Sequence, residues 1–380
     1  MPADRERCEL LRALVRRPGD DLLLDRLAKS VCDWDSLITT ASQHGVLAML
    51  FSRLSEIGTT APPAAQERLE AEFHRNAFHS LANASELIAI LKAFDRETIP
   101  AIPFKGVVLA ATAYCNLTTR PAGDLDVLIH YRNLARASAL MLERGYKLKR
   151  PMTADGKPFT AETCEYTFVR QSDGMVAEQR WKLEFTQPGF RRNLGLDWVW
   201  PERRTAMLAG AEVPDLRPEM TLLVLCMHGC KHAWSRLIWI CDVAQLLESF
   251  PDLDWREVTR EAKRSGLWRA LALGVLLAHR VADSAVPIRL LQRFESDASV
   301  GRLARYIEDN LFDKPGGLPA CDTPYYVQML GFRDRIRFLM SRDFWRPNDR
   351  DLAAIQLPKS LSPLYYLVRP IRIFLNKLAR

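Results

Sequence analysis

The sequence predicts an α+β protein, a small α/β core set between two helical regions. Three observations carry that expectation. Over residues 1–98 apolar side chains recur at three- and four-residue spacing, which is the pattern of amphipathic helices. From 99 to 187 the period shortens to two in the runs IPAIPFK, DLDVLIH, TCEYTFVRQ and VAEQRWKLEF, the spacing of strands with two unlike faces. Helical spacing then returns over 218–313. The expected division is a helical region at 1–98, the α/β core at 99–190 and a second helical region at 191–380.

The first region reads as the helical segments CELLRALVRR, DDLLLDRLAKSV, WDSLITTASQHGVLAMLFSRLSEI and a long AAQERLEAEFHRNAFHSLANASELIAILKAFDRETI. Pro62-Pro63 separates the last two, because proline opens helices and cannot continue them. Inside the core, helices are expected at 106–116 and 132–144. Gly145 closes the second as a C-cap before a short strand at YKLK. PGGLP at 315–319 marks a loop. The last sixty residues read as helical pieces cut by Pro347, Pro358, Pro363 and Pro370. There is no internal repeat and no low-complexity segment.

Composition narrows the class. At 380 residues with 48% hydrophobic and 26% charged side chains, the chain suits a globular protein of two or three domains. Its 53 basic against 46 acidic residues leave +7. That bias suits an anionic substrate such as a nucleotide and is too diffuse for duplex nucleic acid. The opening MPADRERCELLRALVRR lacks the apolar stretch of a signal peptide. No apolar run reaches about 18 residues, so no membrane span is expected and the cytoplasm is the default. Cys8, Cys32, Cys115, Cys164 and Cys321 are scattered, Cys226, Cys230 and Cys241 lie on one stretch, and no C-x-x-C occurs. These read as reduced, mostly buried thiols.

The chemistry concentrates in residues 102–129, IPFKGVVLAATAYCNLTTRPAGDLDVLI. This reads as strand, glycine turn, helix, loop and a second strand bearing Asp124 and Asp126. Side chains alternate across a strand, so both carboxylates share one face while Leu125, Val127 and Ile129 share the other. About 7 Å apart along the strand, they can share a divalent cation. Just upstream, Lys105-Gly106 opens a helix whose first N–H groups can face phosphate. A lone D-x-D would mean little. Joined to this turn, helix and Arg-containing loop, it points to a magnesium–nucleoside triphosphate site.

At these residues the chain resembles the uncharacterised bacterial nucleotidyltransferases of the DNA polymerase β-like superfamily. Those proteins carry K-G-x-x-L after a strand and D-[IL]-D-[LV]-[LV] on the next. The likeness extends through ASQHGVLAMLFSRL, ERGYKL, WKLEF, CMHGCKHAWSRLIWICDVAQLL and the tail LPKSLSPLYYLVRPIRIF, and so through most of the chain. It implies a mixed-sheet nucleotidyltransferase core, with helical flanks as specificity elements. It also implies Mg2+ and an NTP, ATP foremost, at Asp124, Asp126 and a third carboxylate from a neighbouring strand. Glu184 in WKLEF is the expected third group, as metal ligand or base, with Glu178 the lesser candidate. The superfamily usually places Ser after the turn glycine; here Val107 stands there. Phosphate would then fall to Lys105, Arg120 and the Gly106 backbone.

His228 and His232 stand four apart with Cys226 and Cys230 between and before them. Two residues rotate a helix by about 200°, so the two pairs point nearly opposite ways and cannot enclose one zinc. The histidines read either as satisfied structural groups or as lining the cleft. In the resembled family this helix faces the site, which marks Lys231, His232 and Asp242. Trp234, Ile238, Cys241 and Gln245 read as one helical stripe in the core. The C-terminal LYYLVRPIRIFLNKLAR mixes aromatics with Arg369, Arg372, Lys377 and Arg380; docking onto the body is expected over a membrane-surface helix.

The expectation is an enzyme that moves an NMP from an NTP to an unknown acceptor, be it small molecule, saccharide, peptide or protein, and releases pyrophosphate. A non-catalytic scaffold that keeps the fold is the alternative. An RNA nucleotidyltransferase is disfavoured because no basic-aromatic strip is present.

Overall fold

A computed structural model of the chain describes residues 2–16, 21–149, 164–183 and 194–312, with isolated positions beyond. Glu184, the 315–319 loop, Cys321 and the proline-cut tail, apart from isolated positions such as Leu364 and Tyr366, lie outside the described residues.

The N-terminal helices are α1 (Pro2–Val15), α2 (Asp21–Ser30), α3 (Trp34–Gln43), α4 (Leu47–Glu56) and α5 (Pro63–Arg96). The single helix expected over 34–57 is two. Gly45 adopts φ +72° between them, and a Cβ there would come within 2.9 Å of the Arg236 guanidinium. Only glycine allows that turn so close to a neighbour. The core then runs β1 (Ala101–Pro103), α6 (Gly106–Thr112), β2 (Asp124–Ile129), α7 (Leu134–Glu143), β3 (Tyr146–Leu148), β4 (Glu165–Arg170) and β5 (Val176–Arg180). Gly145, at φ +82°, closes α7 as expected, its N–H bonded to the Leu142 carbonyl.

The five strands form one mixed sheet in the order β1-β2-β5-β4-β3. Only the β2–β5 pair is parallel, with Asp124 beside Val176, Asp126 beside Glu178 and Leu128 beside Arg180. The fold is α+β. After the sheet come α8 (Leu196–Val199) and a hairpin of β6 (Arg204–Leu208) and β7 (Ala211–Asp215). That hairpin lies within the region expected to be all helix; its φ-positive Ala209-Gly210 turn gives little helical pattern to read. Helices α9 (Pro218–Lys231), α10 (Leu237–Ser249), α11 (Trp255–Ser265), α12 (Trp268–Ala282), α13 (Ile288–Glu295) and α14 (Ala298–Asn310) follow.

Two apolar cores result, and the strand alternation decides what joins which. Leu125, Val127 and Ile129 pack with the second half of α5, α7 and the β6–β7 hairpin. From the opposite face Leu128 and Ile102 join the core shared by α1–α4 and α9–α14. Both helical regions therefore pack as one body over the carboxylate-bearing face. At about 1.5 Å per residue, the 34-residue α5 is some 50 Å long and contributes Leu69 to one core and Leu87 to the other. Among the described residues, no helix is long and apolar enough to cross a membrane.

Candidate functional site

The turn after β1 brings the first basic group to the carboxylates. Phe104 ends the strand with its N–H on the Asp126 carbonyl, 3.2 Å away. Lys105 then takes φ +60° and Gly106 φ +47°, so the chain folds sharply into α6. A Cβ at Gly106 would meet the Asp124 carbonyl at 3.3 Å. The glycine is needed both for its conformation and for this close pass over β2. Val107, where a superfamily serine would stand, is buried and packs with Val108 in the core on the far side of the sheet.

Asp124, Asp126 and Glu178 can bring one carboxylate oxygen each within 4.8 Å of one another. Asp124 and Asp126 share a face of β2, and the parallel register sets Glu178 directly beside Asp126. Two cations hold this cluster together. Lys105 Nζ lies 3.1 Å from Asp126 Oδ2, and Arg180 Nε lies 2.9 Å from Asp126 Oδ1. Arg180 reaches Glu178 at 2.5 Å through its second arm and pairs with Glu165 through the third nitrogen. Both cations are nearly buried, so these pairs are weakly screened by solvent.

The electrostatics separate the three acids. Burial alone would raise the Asp126 carboxyl, yet the charges and hydrogen bonds of Lys105 and Arg180 hold it down at about 2. Glu178 is pushed up to about 7, first by burial; the Arg180 charge opposes this, and Asp126, Glu165 and Asp124 add to it. Asp124 is raised by burial and then by the Asp126 charge. Carboxylates crowded in this way favour a cation among them. Three hard oxygen donors at such spacing suit a divalent ion of the magnesium or calcium type.

Helix α9 closes the other side. His228 Nδ1 is 3.5 Å from Lys105 Nζ, and its ring meets His232 at 4.7 Å and Trp239 at 5.6 Å. His232 stacks on Trp239 at the end of α9. Burial and then neighbouring positive charge lower both histidines: His228, beside Lys105, is held well below the usual imidazole range, and His232, beside Lys231, is lowered to about 4. Lys105, Arg180, His228 and Lys231 line one small pocket, walled by Phe104, Leu183, Val224 and Met227. A larger cavity of about 220 Å3, behind Tyr114, shares no lining residue with the carboxylate cluster.

Residues 30–283 match a family described as an uncharacterised nucleotidyltransferase. The chain belongs to that family. Among solved structures it is similar to the antibiotic-resistance factor ANT(2'')-Ia at 12% identity, covering 59% of this chain and 95% of that one, with a TM-score of 0.28. It is similar too to an antigenic nucleotidyltransferase-like protein from Paracoccidioides brasiliensis at 14% identity, covering 50% and 91%, with a TM-score of 0.28. No curated protein sequence matches the chain.

In this member of the family the expected residues fall into two groups. Lys105, Gly106, Asp124 and Asp126 converge, and among the described residues His232 touches the site only through His228, one turn before it. Arg120, expected on phosphate, is paired with Asp242. Its Nε and Nη2 bond the two Asp242 oxygens at 2.6 and 2.8 Å, and Nη1 donates to the Gly106 and Pro121 carbonyls. Tyr114 completes the group with its hydroxyl 2.8 Å from Asp242. Arg120 thereby ties the Gly106 turn to α10. Strand β5 ends at Arg180, short of the expected WKLEF strand, and Glu184 lies outside the described residues.

The cluster also holds Arg180, which the sequence reading does not single out, and Glu178, its lesser candidate. The available signal was the alternation E-x-R in Val176–Arg180, which puts Glu178 and Arg180 on one face. The expected helical stripe through Trp234 is also broken. Ala233 and Trp234 take φ +49° and +53°, ending α9, and the indole folds back onto Gly229 and Gly274. Cys226 meanwhile faces Gly274 on α12, away from the two histidines.

Proposed function

We propose that this chain is a magnesium-dependent nucleotidyltransferase that moves an NMP from an NTP, ATP foremost, to an acceptor hydroxyl or similar group, releasing pyrophosphate. The observation that supports it most is the convergence of Asp124, Asp126 and Glu178 within 4.8 Å beside a basic turn. A bound divalent ion would neutralise triphosphate charge and stabilise the entering and leaving oxygens. Asp124, Asp126 and Glu178 would hold it. Asp126 stays ionised at any working pH because Lys105 and Arg180 flank it.

The remaining residues orient and exclude. Lys105 and the Gly106 backbone face the phosphates, and Lys105 can leave Asp126 for them at little cost once the carboxylate charge is shared. Arg120 keeps the turn in place through Asp242 rather than touching phosphate. His228 and His232, held neutral by burial and neighbouring cations, line the acceptor side and can accept a hydrogen bond there. In the metal-free protein Glu178 is pushed up to about 7; an ion held there would keep it ionised, so Glu178 serves as ligand and Glu184, by its place in WKLEF, is the candidate for the acceptor's proton. A scaffold that retains the fold without turnover is the rival reading, supported by Val107 in place of serine.

The experiment is incubation with Mg2+, each α-32P-labelled NTP and a cell extract, followed by separation of labelled products. Transfer of label that disappears in Asp124→Asn supports the enzyme. Magnesium-dependent NTP binding with no labelled product from any extract would favour the scaffold. Comparing Glu178→Gln with Glu184→Gln then separates ligand from base: Glu178→Gln should lose metal and nucleotide affinity, whereas Glu184→Gln should lose about two orders of magnitude or more in rate while keeping nucleotide affinity.

A further inference from the structure

We infer that Arg180 is a built-in cation of the metal centre, occupying the place of a second ion and restricting the metal-binding cluster to one divalent cation in the nucleotide-free protein. The inference rests on the metal-centre reading above. Its basis is contact geometry. One guanidinium engages three carboxylates, Asp126 at 2.9 Å, Glu178 at 2.5 Å and Glu165 by its remaining nitrogen. Two of these three are members of the candidate metal cluster. A guanidinium presents five donors in a rigid plane, so it can bridge carboxylates that a hydrated ion would otherwise bridge.

Charge balance points the same way. With all four ionised, as a bound cation requires, Asp124, Asp126, Glu178 and Glu165 bring four negative charges, while Lys105 and Arg180, in contact with them, bring two positive. The surplus of two negative charges equals one divalent ion. Counting Lys231 of the same pocket leaves one negative charge; one ion then leaves one positive charge, and two would leave three. A second ion entering without its own anions would therefore be repelled. It becomes acceptable only when it arrives with the phosphates of a nucleotide. Placement supports a fixed role for Arg180. It closes β5 beside Leu128 and opposite Glu165, on the same face as Glu178, and only 8% of the residue is exposed.

Arg180 is on this view a positioning residue, and its signature is metal stoichiometry, which a merely structural role would not move. Mn2+ binding to the full chain, without nucleotide, is to be followed by calorimetry and by electron paramagnetic resonance of the free ion. Wild type should bind one ion per chain. Arg180→Gln should bind a second ion, or the first roughly tenfold more tightly, because a competing charge is gone. Arg180→Lys keeps the charge but cannot fork between two carboxylates; it should keep one ion and bind it more tightly than wild type. Should Arg180→Gln fail to fold, Arg180→Lys decides alone: tighter binding supports the inference and equal or weaker binding overturns it. Two ions in wild type, or weaker binding in Arg180→Gln at unchanged stoichiometry, would overturn the inference while leaving the metal centre standing. Binding by neither protein would overturn both.

Discussion

Asp126 on β2 and Glu178 on β5 are direct neighbours across the one parallel strand pair of the sheet, and Arg180 bonds both. The two acids nevertheless differ in charge state. Asp126 faces Lys105 and Arg180 and is held at about 2, whereas Glu178 is pushed up to about 7. The consequences can be measured.

The aspartates should separate on mutation. Asp124 is raised by burial and by its neighbour's charge, so Asp124→Asn relieves repulsion and should leave stability unchanged or slightly higher while losing metal. Asp126→Asn leaves Lys105 and Arg180 without their shared carboxylate. It should lose metal and also about 3–5 kcal/mol of stability, the usual loss on breaking a buried ion pair. Urea titration beside Mn2+ calorimetry checks both; equal stability losses would contradict the assignment.

Glu178 sets a pH dependence. Its folded value of about 7 exceeds the ordinary 4.5, so the folded state binds the extra proton. Metal-free stability should then fall as pH rises from about 4.5 to 7, by on the order of 3 kcal/mol. His44 and His232, both lowered to about 4, act oppositely and add stability as pH rises from about 4 to 6.5. The measurable quantity is therefore the difference between wild type and Glu178→Gln. It should open across this window in EDTA and close in Mg2+.

Arg120→Lys tests the tie between the turn and α10. Lysine cannot reproduce the two-armed bond to Asp242 together with the Gly106 contact. We expect a loss of about 2 kcal/mol in stability, with weaker nucleotide affinity because the Lys105-Gly106 turn is loosened. Loss of affinity with stability intact would instead place Arg120 on the phosphates.

Gly229→Ala probes the seat of Trp234. An added Cβ would lie 2.5 Å from the indole, which is buried and fills the angle between α9 and α12. Overpacking should cost about 1–3 kcal/mol and shift His228 and His232, visible as changed histidine resonances. An unchanged melting temperature would show that the indole yields freely.

Much of this was written locally in the chain. The alternation of DLDVLI placed Asp124 and Asp126 on one face, and Lys105-Gly106 announced the turn, because both depend on adjacent residues alone. Helix spacing likewise located α5 and the helical stretch over 218–313, since an apolar stripe every three to four residues needs no partner to be recognised. What tertiary structure decided lies between distant residues. Glu178 joined the site through the parallel register of β5 on β2, a pairing 52 positions apart that alternation does not specify. Arg120 paired with Asp242, 122 residues away, and Lys105 met His228 across 123. The helical stripe at Trp234 gave way to a left-handed turn because the indole found room over two glycines. Local spacing fixes which face a side chain takes; which charge waits on that face depends on how the elements pack.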